Sequence, residues 1–188
     1  MKYFLKQSHS RNKTKGFTLL EALIGISIVV VAITATFGAT QSGLQSAIES
    51  RNQITAIYLA QEGVEYIRNV RDTNRINNDD WMKRIAEIPS DPCFFGRSCV
   101  VDAVLPVSNP PQVCSGGGAL QCPNIRQNLV ASPTFGFYGN TPGWTSTIFN
   151  REIRIDPIVP GTEVMVVVTM TWGNGNTFVA KELLLNWQ

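Results

Sequence analysis

The longest apolar run in the chain extends from Phe17 to Ala39, FTLLEALIGISIVVVAITATFGA, 23 residues in which Glu21 is the only charge. At about 1.5 Å per residue a helix of this length reaches roughly 35 Å, enough to span the apolar core of a bilayer. Apolar residues then recur at Ile54, Ile57, Val64 and Ile67, spacings that one face of a helix produces. No proline interrupts residues 40–73, so the pattern predicts one helix of more than fifty residues, membrane-spanning in its first part and amphipathic in its second. Tyr58, Leu59 and Ile67 are expected to pack the second part against the domain that follows. Asn74 to Asp80, NRINNDD, supplies residues that end helices, and Trp81 to Ile88 has room for one or two further helical turns.

Residues 89–146 have a different character, holding eight of the ten prolines and the run SGGG. They predict loops and short strands, with Val100 to Val107 and Gly136 to Tyr138 as strand candidates. Alternation then becomes clear. Arg151 to Asp156 sets Ile153 and Ile155 on one face and Glu152, Arg154 and Asp156 on the other. Val164 to Trp172 is rich in β-branched residues, and Gly173-Asn174-Gly175-Asn176 supplies a turn before Thr177 to Trp187. These segments predict a three-stranded antiparallel meander, in which Lys181 and Glu182 read as exposed. A long amphipathic helix and a sheet with one apolar face bury each other. The expectation is therefore an α+β fold: helix 40–73, loop region 89–146 and antiparallel sheet 147–188, all in an exported domain spanning 40–188.

Charge sharpens the division. The formal net charge is +2, but Lys2, Lys6, Arg11, Lys13 and Lys15 precede Gly16 with no acidic residue among them. Without that leader, 11 basic residues face 14 acidic ones, a balance of −3. The remainder therefore lacks the basic excess expected of a nucleic-acid-binding domain. The only histidine, His9, is also in the leader, so a processed chain holds no histidine for a catalytic triad or a metal site. The basic flank orients the helix with its N-terminal end in the cytoplasm.

Cys93, Cys99, Cys114 and Cys122 fall within 30 residues of one another, even in number and without C-x-x-C spacing. This favours two disulfides in an oxidising compartment over zinc. Short loops favour Cys93 with Cys99 and Cys114 with Cys122, although spacing alone leaves the connectivity open.

Glu21 is costly inside an apolar helix unless it is paired. The stretch Lys15-Gly16-Phe17-Thr18-Leu19-Leu20-Glu21 resembles the signal of type IV pilins and type II secretion pseudopilins: a short basic leader, Gly, Phe, a few small or apolar residues, Glu, then an apolar helix. The resemblance implies removal of residues 1–16 by a prepilin peptidase that cuts between Gly16 and Phe17, followed by N-methylation of Phe17. The new Phe17 ammonium of a staggered neighbour would then neutralise Glu21 and select the register of assembly. An uncleaved anchor, or a secretory signal cut after Thr36, leaves Glu21 unexplained. Ala56-Ile57-Tyr58-Leu59-Ala60-Gln61-Glu62-Gly63-Val64-Glu65, followed by Arg68, Arg71 and Asp72, is similar to the helix of PilV-type minor pilins and I-type minor pseudopilins. Many major pilins carry a proline late in the apolar segment, whereas none occurs here between Phe17 and Pro89.

The resemblance implies a structural subunit, pilin-like in fold and without enzymatic activity, cofactor or metal. Its implied partners are other pilin or pseudopilin subunits, the prepilin peptidase, an inner-membrane assembly platform and membrane lipid along residues 17–39. Its implied location is the bacterial inner membrane as a single-pass protein, and an extracytoplasmic filament after assembly. Gly25 and Gly38 permit close helix contacts or mark where the helix loosens on extraction. Glu62, Glu65 and Asp72 read as ion-pair partners of Arg68 and Arg71, or as subunit contacts, in preference to a carboxylate site. The alternative is a tip adhesin or DNA-uptake pilin whose domain captures a ligand. Arg126, Arg151 and Arg154, with Phe135 and Tyr138, would form its nucleic-acid surface.

Overall fold

The structure, a computed structural model, describes residues 16–106, 109–114, 122–128 and 137–187. The leader before Gly16, the SGGG run, Phe135 and the expected strand ends at Val107 and Gly136 lie outside the described residues. The chain divides into two compact units, the first ending at Ile48 and the second running Glu49–Gln188.

One helix, α1, runs Leu19–Ile76 for 58 residues. Thr18 is its N-cap: the hydroxyl oxygen accepts the Glu21 N–H at 3.3 Å, and the Thr18 carbonyl accepts the Ala22 N–H at 3.1 Å. In the first unit the helix is long and apolar enough to cross a membrane, and its most apolar window buries nothing against protein. Its hydroxyls satisfy themselves locally. Ser27 donates to the Ile24 carbonyl at 2.7 Å, Thr34 to that of Val30 at 2.9 Å and Thr40 to that of Thr36 at 2.9 Å, so they enter an apolar medium without an orphaned donor.

In the second unit, α1 buries Ala56, Leu59, Ala60, Gly63, Val64, Ile67, Val70 and Asn74, an i, i+3, i+4, i+7 stripe. The stripe corrects the expected face. Ile54 is 54% exposed and Tyr58 67% exposed, because small residues at 56, 60 and 63 form the contact and turn both large side chains outward. The helix ends in a Schellman motif. Asp79 N–H bonds the Asn74 carbonyl at 2.9 Å and Asn78 N–H that of Arg75 at 3.1 Å, with Asn78 at φ 57°. Residues 81–86 then form consecutive turns and 87–88 a bend, not a regular helix. Asp80 accepts the Met82 N–H at 2.8 Å, and Arg84 adopts φ 67°, which breaks helical geometry. Trp81, Met82, Ile85 and Ala86 are nevertheless buried in the core.

Among the described residues the sheet has seven strands: β1 (Ser98–Val100), β2 (Gln112–Val113), β3 (Asn124–Asn128), β4 (Phe137–Gly139), β5 (Thr145–Val159), β6 (Glu163–Trp172) and β7 (Asn176–Leu185). All pairings are antiparallel. The expected meander is β5-β6-β7, with β5 extending well beyond Arg151–Asp156. Along its other edge β5 pairs with β3 near its start and β1 near its middle, and β4 and β2 lie outside these. The strand expected from Val100 ends there, because the Asp102 carboxylate turns the chain, accepting the Val104 N–H at 3.1 Å and the Asn140 N–H at 2.8 Å.

Phe149, Arg151, Ile153 and Ile155 of β5 face α1 together with Val164, Val166, Val168, Met170 and Trp172 of β6. Disulfides join Cys93 to Cys99 and Cys114 to Cys122. The second, with Val100, makes a small cluster apart from the main core.

Candidate functional site

Gly16, Phe17 and Thr18 precede the first helical residue in irregular backbone. A Cβ at Gly16 would meet nothing within 4 Å, and Phe17 is 75% exposed. Glu21 occupies the third helical position, where its carboxylate faces the positive end of the helix dipole. The Thr18-x-x-Glu21 spacing is that of a capping box, a signal readable in the sequence beside the cost of the charge. Cleavage before Phe17 would add an ammonium four residues from this carboxylate.

Downstream, the arginines and carboxylates of α1 are tied to the sheet. Arg151, 1% exposed, lies on the core-facing side of β5 and reaches α1. Its Nη1 donates to Glu62 Oε2 at 2.8 Å and to the Leu59 carbonyl at 2.9 Å, and its Nη2 to the Val101 carbonyl at 2.8 Å. Gly63 makes room for it, since a Cβ there would sit 3.2 Å from Arg151 Cδ. Arg68 pairs with Glu65, as expected for i, i+3, and also with Glu182 of β7. These bonds, that to Glu182 foremost, push the Arg68 guanidinium above its ordinary value. Glu182 is thus an anchor to the helix and not a free strand residue. Glu62 engages the sheet in place of a helix arginine, while Asp72 pairs with Arg71 at 2.7 Å. The open groove of about 500 Å³ beside Glu62, Glu65, Tyr66, Asn69, Ala103 and Leu105 is lined by carboxylates already held by arginine.

Of the residues expected for a nucleic-acid surface, Phe135 lies outside the described residues and Arg126 is partly buried on β3. Arg151 is buried and engaged, Arg154 is paired with Asp156 at 3.0 Å, and Tyr138 sets its ring edge-on to Phe149 at 6.5 Å between centroids. Arg151 shares the parity of Ile153 and Ile155, which marks it as inward-facing and not as part of a surface patch.

Tyr66 donates its hydroxyl to the Asn109 carbonyl at 2.6 Å. Burial pushes its phenol above the ordinary value; Arg84 opposes the rise and Asp102 adds to it. Among the described residues, no cluster of three or more His, Cys, Asp or Glu is placed to hold a metal ion.

Residues 11–37 match the family described as the prokaryotic N-terminal methylation motif, an interval that contains Gly16, Phe17 and Glu21. No curated protein and no solved structure gives a significant match to the chain. A capped apolar helix and this match lead to one conclusion: the chain carries a prokaryotic N-terminal methylation motif over residues 11–37.

Proposed function

We propose that this protein is a minor pilin or pseudopilin, cut between Gly16 and Phe17, methylated on Phe17 and built into a type IV pilus or a secretion pseudopilus through residues 17–39. Members of the family are structural subunits, not enzymes. The observation that carries the reading is the methylation motif over residues 11–37 running directly into a helix whose apolar window has no protein cover. Such a surface is stable in lipid or against like helices, and the first state precedes the second. The basic leader keeps the N-terminal end on the cytoplasmic side, and the two disulfides suit an oxidising exterior. The unbroken helix through residues 19–76, without the proline of many major pilins, supports a minor subunit.

Glu21 then has two successive settings. Before assembly, it sits in the first turn of α1, at the positive end of the helix dipole. After assembly, the Phe17 ammonium of a neighbour neutralises it, and the pair fixes register more than it adds stability. The test is the mass and N-terminal sequence of protein isolated from its native membrane. A chain starting at N-methyl-Phe17 is expected; retention of residues 1–16, or a start beyond Thr36, would refute the proposal.

A further inference from the structure

The second unit begins with seven residues, Glu49-Ser50-Arg51-Asn52-Gln53-Ile54-Thr55, that are helical although none is buried; the core starts at Ala56. The composition is poor for an unsupported helix, because Ser50, Asn52 and Thr55 offer the backbone competing hydrogen bonds or lose rotamer freedom. Among the described residues, one side chain ties this stretch to the sheet. Glu49 Oε1 accepts Trp172 Nε1–H at 3.0 Å and Asn176 Nδ2–H at 2.8 Å.

The two sides of this contact differ in rigidity. Trp172 is buried at the end of β6, and Asn176 begins β7 directly after a turn whose Gly173 and Gly175 have φ 54° and 93°, conformations that side-chain-bearing residues rarely adopt. The Trp172 donor is therefore fixed by the sheet, and the backbone that carries Asn176 by the turn. The acceptor sits on a mostly solvated helical stretch, in which Asn52 and Thr55 alone are partly covered. A charged acceptor shared by two donors is a strong local restraint, and it is the restraint on which the stretch depends.

We propose that Glu49 is a releasable latch: closed, it holds residues 49–55 helical beside the β6–β7 turn; open, it lets them fray while the core from Ala56 onward stays folded. Local opening of this kind is set by the few contacts a segment makes, and here the side-chain hydrogen bonds to the sheet among the described residues converge on a single oxygen. Any donor or cation from another molecule that captured the carboxylate would open the latch without disturbing the sheet.

Hydrogen exchange with peptide-level mass spectrometry on the full-length chain in detergent micelles tests this, using wild type, E49A, N176A and the double variant. E49A is expected to speed exchange of amides 50–55 at least tenfold while β5, β6, β7 and residues 59–74 keep wild-type rates. N176A should produce a smaller increase, and the double variant should exchange no faster than E49A, since both act through one contact. Unchanged exchange at 50–55 in E49A, a rise shared by the whole sheet, or additive effects in the double variant would overturn the proposal.

Discussion

Arg151 Nη1 lies 2.8 Å from Glu62 Oε2 and joins β5 to the packed part of α1. The two partners are unequally placed, with side-chain exposures of 2% for Arg151 and 35% for Glu62. Glu62 alone can be solvated where it stands, whereas Arg151 alone would leave a cation in the core with only carbonyl partners. Glu62→Ala should therefore destabilise the protein by about 3 kcal/mol, and Arg151→Met by about 1 kcal/mol. Denaturant unfolding of the full chain in micelles measures both, and the reverse order would sink the argument.

Gly63 sits where helix and sheet approach most closely. An added Cβ would lie 3.2 Å from Arg151 Cδ and 3.4 Å from Ile153 Cδ1 and Val168 Cγ1. For Gly63→Ala, crowding is offset by a gain in helix propensity of about 1 kcal/mol, and the variant should remain near wild-type stability. Gly63→Leu should lose about 3 kcal/mol through overpacking. A leucine variant with an unchanged unfolding midpoint would show that the interface is looser than described.

Tyr66 predicts a loss of stability at high pH. Its phenol is raised above 10.0 by burial, so the unfolded chain loses this proton at lower pH than the folded one. The stabilising contribution is complete below about pH 10 and is lost as pH rises through the folded value. Tyr66→Phe should remove that part of the decline. The comparison is the difference in melting temperature between wild type and variant from pH 8 to 11; a difference that stays constant across this range would contradict it.

Thr18 and Glu21 should separate folding from assembly. Thr18→Ala removes the cap and should weaken the first turn by about 1 kcal/mol, leaving incorporation into a filament largely intact. Glu21→Val should preserve membrane insertion but impair incorporation, because the neighbour's Phe17 ammonium loses its partner. Filament fractions probed for both variants decide this, and normal incorporation of Glu21→Val would defeat the pairing argument.

The long helix and the β5-β6-β7 meander were legible because each repeats one period over many residues. The helix face carries a weaker signal. Ala56, Ala60 and Gly63 make the contact through being small, and smallness carries no hydropathy signal, whereas Ile54 carries a strong one and points to solvent. The strands β2 and β3, Gln112–Val113 and Asn124–Asn128, are short and mostly polar, held by neighbours distant in sequence. At the N-terminal end the motif is plain in the sequence, and the Thr18-x-x-Glu21 spacing carries the cap that Thr18 gives the Glu21 amide.

The position of β5 in the chain has a consequence for biogenesis. This strand pairs with β1, β3 and β6, and with β6 it covers the apolar stripe of α1, yet it is synthesised long after the helix. At about 5–20 residues per second, roughly a hundred residues separating Ile76 from the end of β7 take about 5–20 seconds to appear. Throughout that interval Leu59, Val64, Ile67 and Val70 have no cover from their own sheet. The nascent protein is therefore most exposed to proteases and unwanted association while its helix is already complete, and faster translation of the second half would shorten its period of risk.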